Sequence, residues 1–122
     1  MKLINSCMLA ALAVCAIATS AEAAVMRVVV VETSDVAAYT AELGKIRAGI
    51  ARIGGKETLR FWRARFAGPN AGQLVVSIEY ADMATYAAED AKMRADADLS
   101  ATLKGLDKIR KVVSDSLYDE VK

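Results

Sequence analysis

Five valines in seven positions, Val25-Met26-Arg27-Val28-Val29-Val30-Val31, do most to limit what this chain can become. β-branched side chains pack well on a pleated sheet and lose rotamer freedom in a helix. A run without regular polar alternation predicts a central strand covered on both faces. Thr33-Ser34-Asp35 follows and offers capping oxygens, after which Val36, Tyr39, Leu43, Ile46, Ile50 and Ile53 recur at spacings of three and four up to Gly54-Gly55. That spacing places all six on one side of a helix, where a core face is a commoner outcome than a cofactor site.

Residues 58–67 and 73–80 are rich in aromatic and β-branched side chains, and Gly68-Pro69-Asn70-Ala71-Gly72 between them reads as a turn, so the pair predicts a hairpin. Asp82 is placed to cap a helix running to about Asp96, and Asp98 to cap a shorter one carrying Leu99, Leu103 and Leu106. Residues 110–121, with Val112, Val113, Leu117, Tyr118 and Val121, suit a last strand. The order is then βαββαβ with a broken second helix. This is an α+β, ferredoxin-like arrangement: right-handed crossovers put the helices on one face of a four-stranded antiparallel sheet and leave the other face open.

Pairing Ala67 with Gln73 sets Phe66 opposite Leu74, Ala64 opposite Val76, Trp62 opposite Ile78 and Arg60 opposite Tyr80, a nearly apolar face assigned to the helices. Trp62 is then a core residue. The open face would carry Leu59, Phe61, Arg63, Arg65, Val75, Ser77 and Glu79. Phe61 and Val75 are too apolar to leave bare, and the charged members too polar for a dry interior. Arg63 and Arg65, two residues apart, repel each other; Glu79 offsets one charge and the other calls for an anion, a partner's carboxylate or water. Phe61, Arg63, Arg65, Ser77 and Glu79 are therefore the expected ligand-binding set.

The N-terminus carries Lys2, an apolar run over residues 3–17 broken by Asn5 and Ser6, and Ala21-Glu22-Ala23, which fits the small-x-small cleavage rule. Residues 1–23 are expected to be a secretory signal, with residues 24–122 as one domain. The run is shorter than the ~20 residues of a spanning helix, and Val14 before Cys15 is too large for a lipoprotein box. Cleavage would remove Cys7 and Cys15, the only cysteines, and the chain has no histidine. Disulfide, thiolate and ordinary zinc chemistry are then ruled out, and the expected location is periplasmic or secreted. Lys and Arg number 16 against 15 Asp and Glu, a formal charge of +1, which supplies no strong field for nucleic acid or an anionic membrane. Neither is expected as a partner once the signal is cut.

The element order, with Ile78-Glu79-Tyr80-Ala81-Asp82-Met83-Ala84-Thr85-Tyr86 leading into Asp96-Ala97-Asp98-Leu99, resembles the dimeric α/β-barrel superfamily over about residues 25–121. Within it the pattern is most similar to the NIPSNAP family, and next to the antibiotic-biosynthesis monooxygenase-like family. The resemblance implies a homodimer apposed through its sheets, with a pocket between each sheet and its helices or at the dimer interface. Haem-degrading members use a histidine ligand that this chain lacks, so no cofactor is expected.

Glu79, Tyr80 and Tyr118 are isolated acid or base candidates without a triad. Glu89-Asp90 and Asp96-Ala97-Asp98 lack the dense ligand series of a calcium loop, and no glycine cluster continues into a phosphate-binding fingerprint, so no metal is expected. Two function classes follow. One is a binding module whose cavity on the open sheet face takes a small amphipathic or anionic molecule. The other is a cofactor-independent monooxygenase or isomerase acting on an aromatic or quinone-like substrate.

Overall fold

The computed structural model describes residues 23–66 and 68–122. The signal-peptide reading falls on residues outside that range. The elements are β1 (Val25–Glu32), α1 (Val36–Arg52), β2 (Thr58–Arg63), β3 (Leu74–Tyr80), α2 (Met83–Ala95), α3 (Ala97–Leu106) and β4 (Lys111–Asp119). The antiparallel sheet has the order β2-β3-β1-β4, so the expected ferredoxin-like topology is present, with β1 central. No helix among the described residues is long and apolar enough to cross a membrane.

Local chemistry explains the element ends. The Asp35 carboxylate accepts from Ala38 N at 2.9 Å and opens α1. At the other end Gly55 N bonds to Ile50 O and Gly54 N to Ala51 O, a paired closure that needs the positive φ of +74° at Gly54. Asp82 caps α2 through Thr85 N as expected. The cap of α3 is Asp96, which accepts from Leu99 N at 3.0 Å, and not Asp98, which lies within the first turn. Asp96 also closes α2, so one residue serves both helices and fixes the break between them.

Tyr39, Leu43, Ile46 and Ile50 of the α1 stripe are buried, Ile53 packs at the margin and Val36 is exposed. They meet Val25, Val29 and Val31 of β1 and Val76, Ile78 and Tyr80 of β3. Each large aliphatic side chain so buried contributes roughly 1.5–3 kcal/mol. α3 crosses closely because residue 49 is glycine: a methyl there would sit 2.5 Å from Leu99 Cδ2, and Leu99 is itself buried.

The hairpin register differs from the expected one by three residues. Ala64, not Ala67, pairs with Gln73, and Leu59, Phe61, Trp62 and Arg63 lie opposite Ile78, Val76, Val75 and Leu74. The Gly-Pro-Asn segment forms a single 3-10 turn, with positive φ at Gly68 and Gly72, so the connection begins well before Gly68. An odd shift exchanges the two faces of β2. Leu59 and Phe61 therefore lie under α1 and Trp62 turns to the open face, reversing both expectations. The physical reason is that each alternation of β2 carries apolar residues, and long-range contacts decide between them. Arg47 of α1 donates Nη2 to Leu59 O at 3.0 Å and lies 4.6 Å over the Phe61 ring, while the Trp62 indole donates to Ser77 Oγ at 2.8 Å on the far side.

Candidate functional site

The exchanged face divides the expected ligand-binding residues. Ser77 and Glu79 lie on the open face, where Ser77 is covered by Trp62 and Glu79 stands 3.7 Å from Arg60. Phe61, Arg63 and Arg65 lie together along a shallow groove between α1 and the end of the hairpin, about 270 Å³, with Val36, Tyr39 and Leu74. Among the described residues neither Arg63 nor Arg65 forms an ion pair. The five residues do not form one site.

The open face is more apolar than expected. Met26, Val28 and Val30 of β1 alternate toward it, flanked by Trp62 and Val75 on one side and by Ser114, Ser116 and Tyr118 on the other. Trp62 is 50% and Tyr118 53% exposed.

A cavity of about 340 Å³ lies on the opposite side, between the sheet and the helices. Its floor is Val29, Val76 and Ile78, and α1 contributes Leu43, Ile46 and Ile50. Met93 of α2 and Leu103 and Leu106 of α3 complete the apolar wall. The rim is ionic. A register slip in β4 between the partners of Val30 and Val31 leaves Val113 unpaired and turns both Val112 and Asp115 toward the cavity.

Asp115 accepts two bonds from Arg27, Nε to Oδ1 at 2.8 Å and Nη2 to Oδ2 at 2.6 Å. This fork holds the Asp115 carboxyl below its usual pKa and raises that of Arg27. Asp90 accepts a single bond from Arg94 Nε at 2.7 Å.

Arg110, just before β4, is different. Its side chain is 15% exposed, Asp107 Oδ1 lies 3.6 Å from Nη2, Tyr39 Oη lies 3.5 Å from Nη1, and the buried Nε has no acceptor. Lys104 completes the cationic side of the rim. The cavity thus has four cationic side chains against three carboxylates, two of the cations closed by short pairs and Arg110 loosely held.

The family resemblance implied a pocket between sheet and helices, but its charged members were not identified because they come from distant segments; Arg27 and Asp115 are 88 positions apart. The one available signal was Arg27 itself, a charge inside a valine run. The other acid–base candidates have structural settings: Tyr80 is buried against Tyr86, edge to face at 5.2 Å, with its phenol pKa raised by burial, and Tyr118 projects from the open face. Asp96 pairs with Arg52 at 2.6 Å, and the described residues contain no group of three or more potential metal ligands.

No family model matches the sequence, and no curated protein matches it. Solved structures do. The chain is similar to a cofactor-independent oxygenase from Streptomyces nogalater, SnoaB, at 16% identity and a TM-score of 0.58, covering 82% of this chain and 95% of that one. It is similar to a NIPSNAP family protein from Agrobacterium tumefaciens at 15% identity and a TM-score of 0.55, covering 80% and 91%. A protein of unknown function from Bacteroides thetaiotaomicron aligns at 8% identity and a TM-score of 0.60 over 82% of this chain and all of that one. With the sheet order and helix placement, these likenesses show that the chain has a ferredoxin-like α+β fold, shared with those solved structures.

Proposed function

We propose that this protein is an exported homodimer that binds a small amphipathic molecule in the cavity between its sheet and helices. The observation that carries this reading is the cavity itself: apolar walls from the sheet and all three helices, closed on the sheet side, with an ionic rim that would hold a polar head. This moves the binding site from the open face to the helix face. A thermal-shift screen of purified protein against small amphiphiles tests it, and stabilisation by none of them would count against it.

The dimer accounts for the open face. Met26, Val28, Val30, Val75 and the half-exposed Trp62 and Tyr118 form an apolar surface of the kind that marks an interaction site, and a second copy would cover it sheet to sheet. Light scattering should report a dimer that Val28→Asp converts to monomer; a monomer in both cases would remove this part. Phe61 lies beneath α1, so substitution there tests the core and not the interface.

Export is supported by the Lys2, apolar-run and Ala21-Glu22-Ala23 pattern. Intact mass from the native host should correspond to a chain starting at Ala24, and retention of Met1 would overturn it.

The likeness to a cofactor-independent oxygenase favours a second reading, turnover of an aromatic or quinone-like substrate in the same cavity. Oxygen uptake with each ligand from the screen distinguishes it from simple binding.

A further inference from the structure

The rim of the cavity is unevenly satisfied, and the imbalance carries chemical information. A guanidinium does not lose its proton in a protein, so Arg110 remains charged at 15% exposure. Its neighbours Arg27 and Arg94 are each matched by a carboxylate between 2.6 and 2.8 Å, whereas Arg110 has contacts of only 3.5 and 3.6 Å and an Nε with no acceptor. Asp107 at 3.6 Å and the charge of Asp115 compensate it without a short pair; a largely buried charge so held is costly, and an anion in the cavity would relieve that cost.

We infer that the cavity selects an organic monocarboxylate, its carboxylate bonded by Arg110 and its apolar body lying against Leu43, Ile46 and Leu103; this rests on the cavity being the binding site. Planar complementarity favours the carboxylate, because its two oxygens match bidentately the Nη1–Nη2 edge of Arg110, whose own contacts at 3.5 and 3.6 Å are long enough to be exchanged for shorter ones. Charge limits the ligand to one negative unit. Asp107, Asp115 and Asp90 share the rim, and with Arg27 and Arg94 already neutralised only Arg110 and the exposed Lys104 remain to receive an anion. With those two pairs closed, Arg110 and Lys104 face Asp107 alone, and a phosphate dianion would exceed the single positive charge that is left. The apolar wall selects against small acids such as acetate, which would leave most of it uncovered.

The test uses three eight-carbon probes that differ only at the head, octanoate, octanol and octylamine, with affinity measured by titration calorimetry on the wild type, Arg110→Met and Arg110→Lys. Octanoate should bind the wild type most tightly and octylamine least. Arg110→Met should weaken octanoate about ten- to a hundredfold, the size of a charge-assisted bond, and leave octanol unchanged. Arg110→Lys should lie between, because it keeps the charge and loses the fork. Equal affinity for octanoate and octanol, or an Arg110→Met variant that binds octanoate as well as the wild type, would overturn the carboxylate inference while leaving the cavity as a binding site. Failure of all three probes would remove the cavity reading and this inference with it. Should Arg110→Met not fold, the ranking of heads on the wild type and the Arg110→Lys affinity still decide the matter.

Discussion

Glu57 and Glu89 provide a perturbation with a definite sign. Glu57 ends the α1–β2 connection and Glu89 lies on α2; both Glu57 oxygens and Glu89 Oε2 are buried without a hydrogen-bond partner. Glu89 is 3% exposed and its Oε1 takes Lys92 Nζ at 3.2 Å. Burial, and then the charge of Glu89, raise the pKa of Glu57. A proton on Glu57 lets it donate to Glu89; without it two carboxylates face each other away from water. Because the folded-state pKa of Glu57 lies above its unfolded value, about 4.3, its favourable contribution is complete below that value. It is lost as pH rises through the folded-state pKa.

Glu57→Gln replaces the missing proton with an amide donor at every pH. The variant should therefore match the wild type at pH 4 and exceed it at pH 8. An unsatisfied buried polar group costs roughly 1–3 kcal/mol, and because the Glu57 stem is partly exposed the lower end applies, about 1 kcal/mol. In a domain of this size that raises the melting temperature by about 4–8 °C. Comparing variant with wild type at each pH separates this effect from Asp96 and Asp115, whose lowered pKa values contribute stability that is lost as pH falls. Circular-dichroism melts between pH 4 and pH 8 suffice. A Glu57→Gln protein less stable than the wild type at pH 8, or a difference that does not change with pH, would refute the reasoning.

Two further substitutions test the packing. Ile46→Ala, at a site buried among α1, β1 and β3, should cost about 2–5 kcal/mol in chemical denaturation, and a loss below about 0.5 kcal/mol would mean that α1 presents another face. Gly49→Ala places a methyl 2.5 Å from a Leu99 side chain that is 2% exposed, and should destabilise by about 1–3 kcal/mol despite the better helix propensity of alanine; unchanged or increased stability would contradict the close α1–α3 crossing.

Where local chemistry determines structure, the sequence is legible. The valine run, the α1 stripe, the Asp35 and Asp82 caps and the Gly54-Gly55 closure each depend on neighbours within a few residues, and together they lead to the βαββαβ order. The hairpin register does not. The stretch from Thr58 to Ala64 has Leu59 and Phe61 on one alternation and Trp62 and Ala64 on the other, so hydrophobicity alone supports either face. Arg47 over Phe61 and the bond from Trp62 to Ser77 decide it, and both join segments that the sequence leaves unconnected. That single register shift divided the expected site residues between the two faces of the sheet. The charged rim of the cavity was hidden for a related reason: Asp115 lies on an unusual side of β4 only because of a slip in pairing with β1.

The central claim is that the two faces of the sheet have different tasks, with ligand on the helix side and a second copy on the open side. Methyl-resolved carbon-13 NMR of the protein during titration with octanoate tests it most directly. The predicted result is saturable shifts of the Ile46, Leu103 and Leu106 methyls, with those of Val28 and Val30 unmoved. Shifts confined to Val28 and Val30, with Ile46 and Leu103 unchanged, would contradict it and return the binding site to the open face.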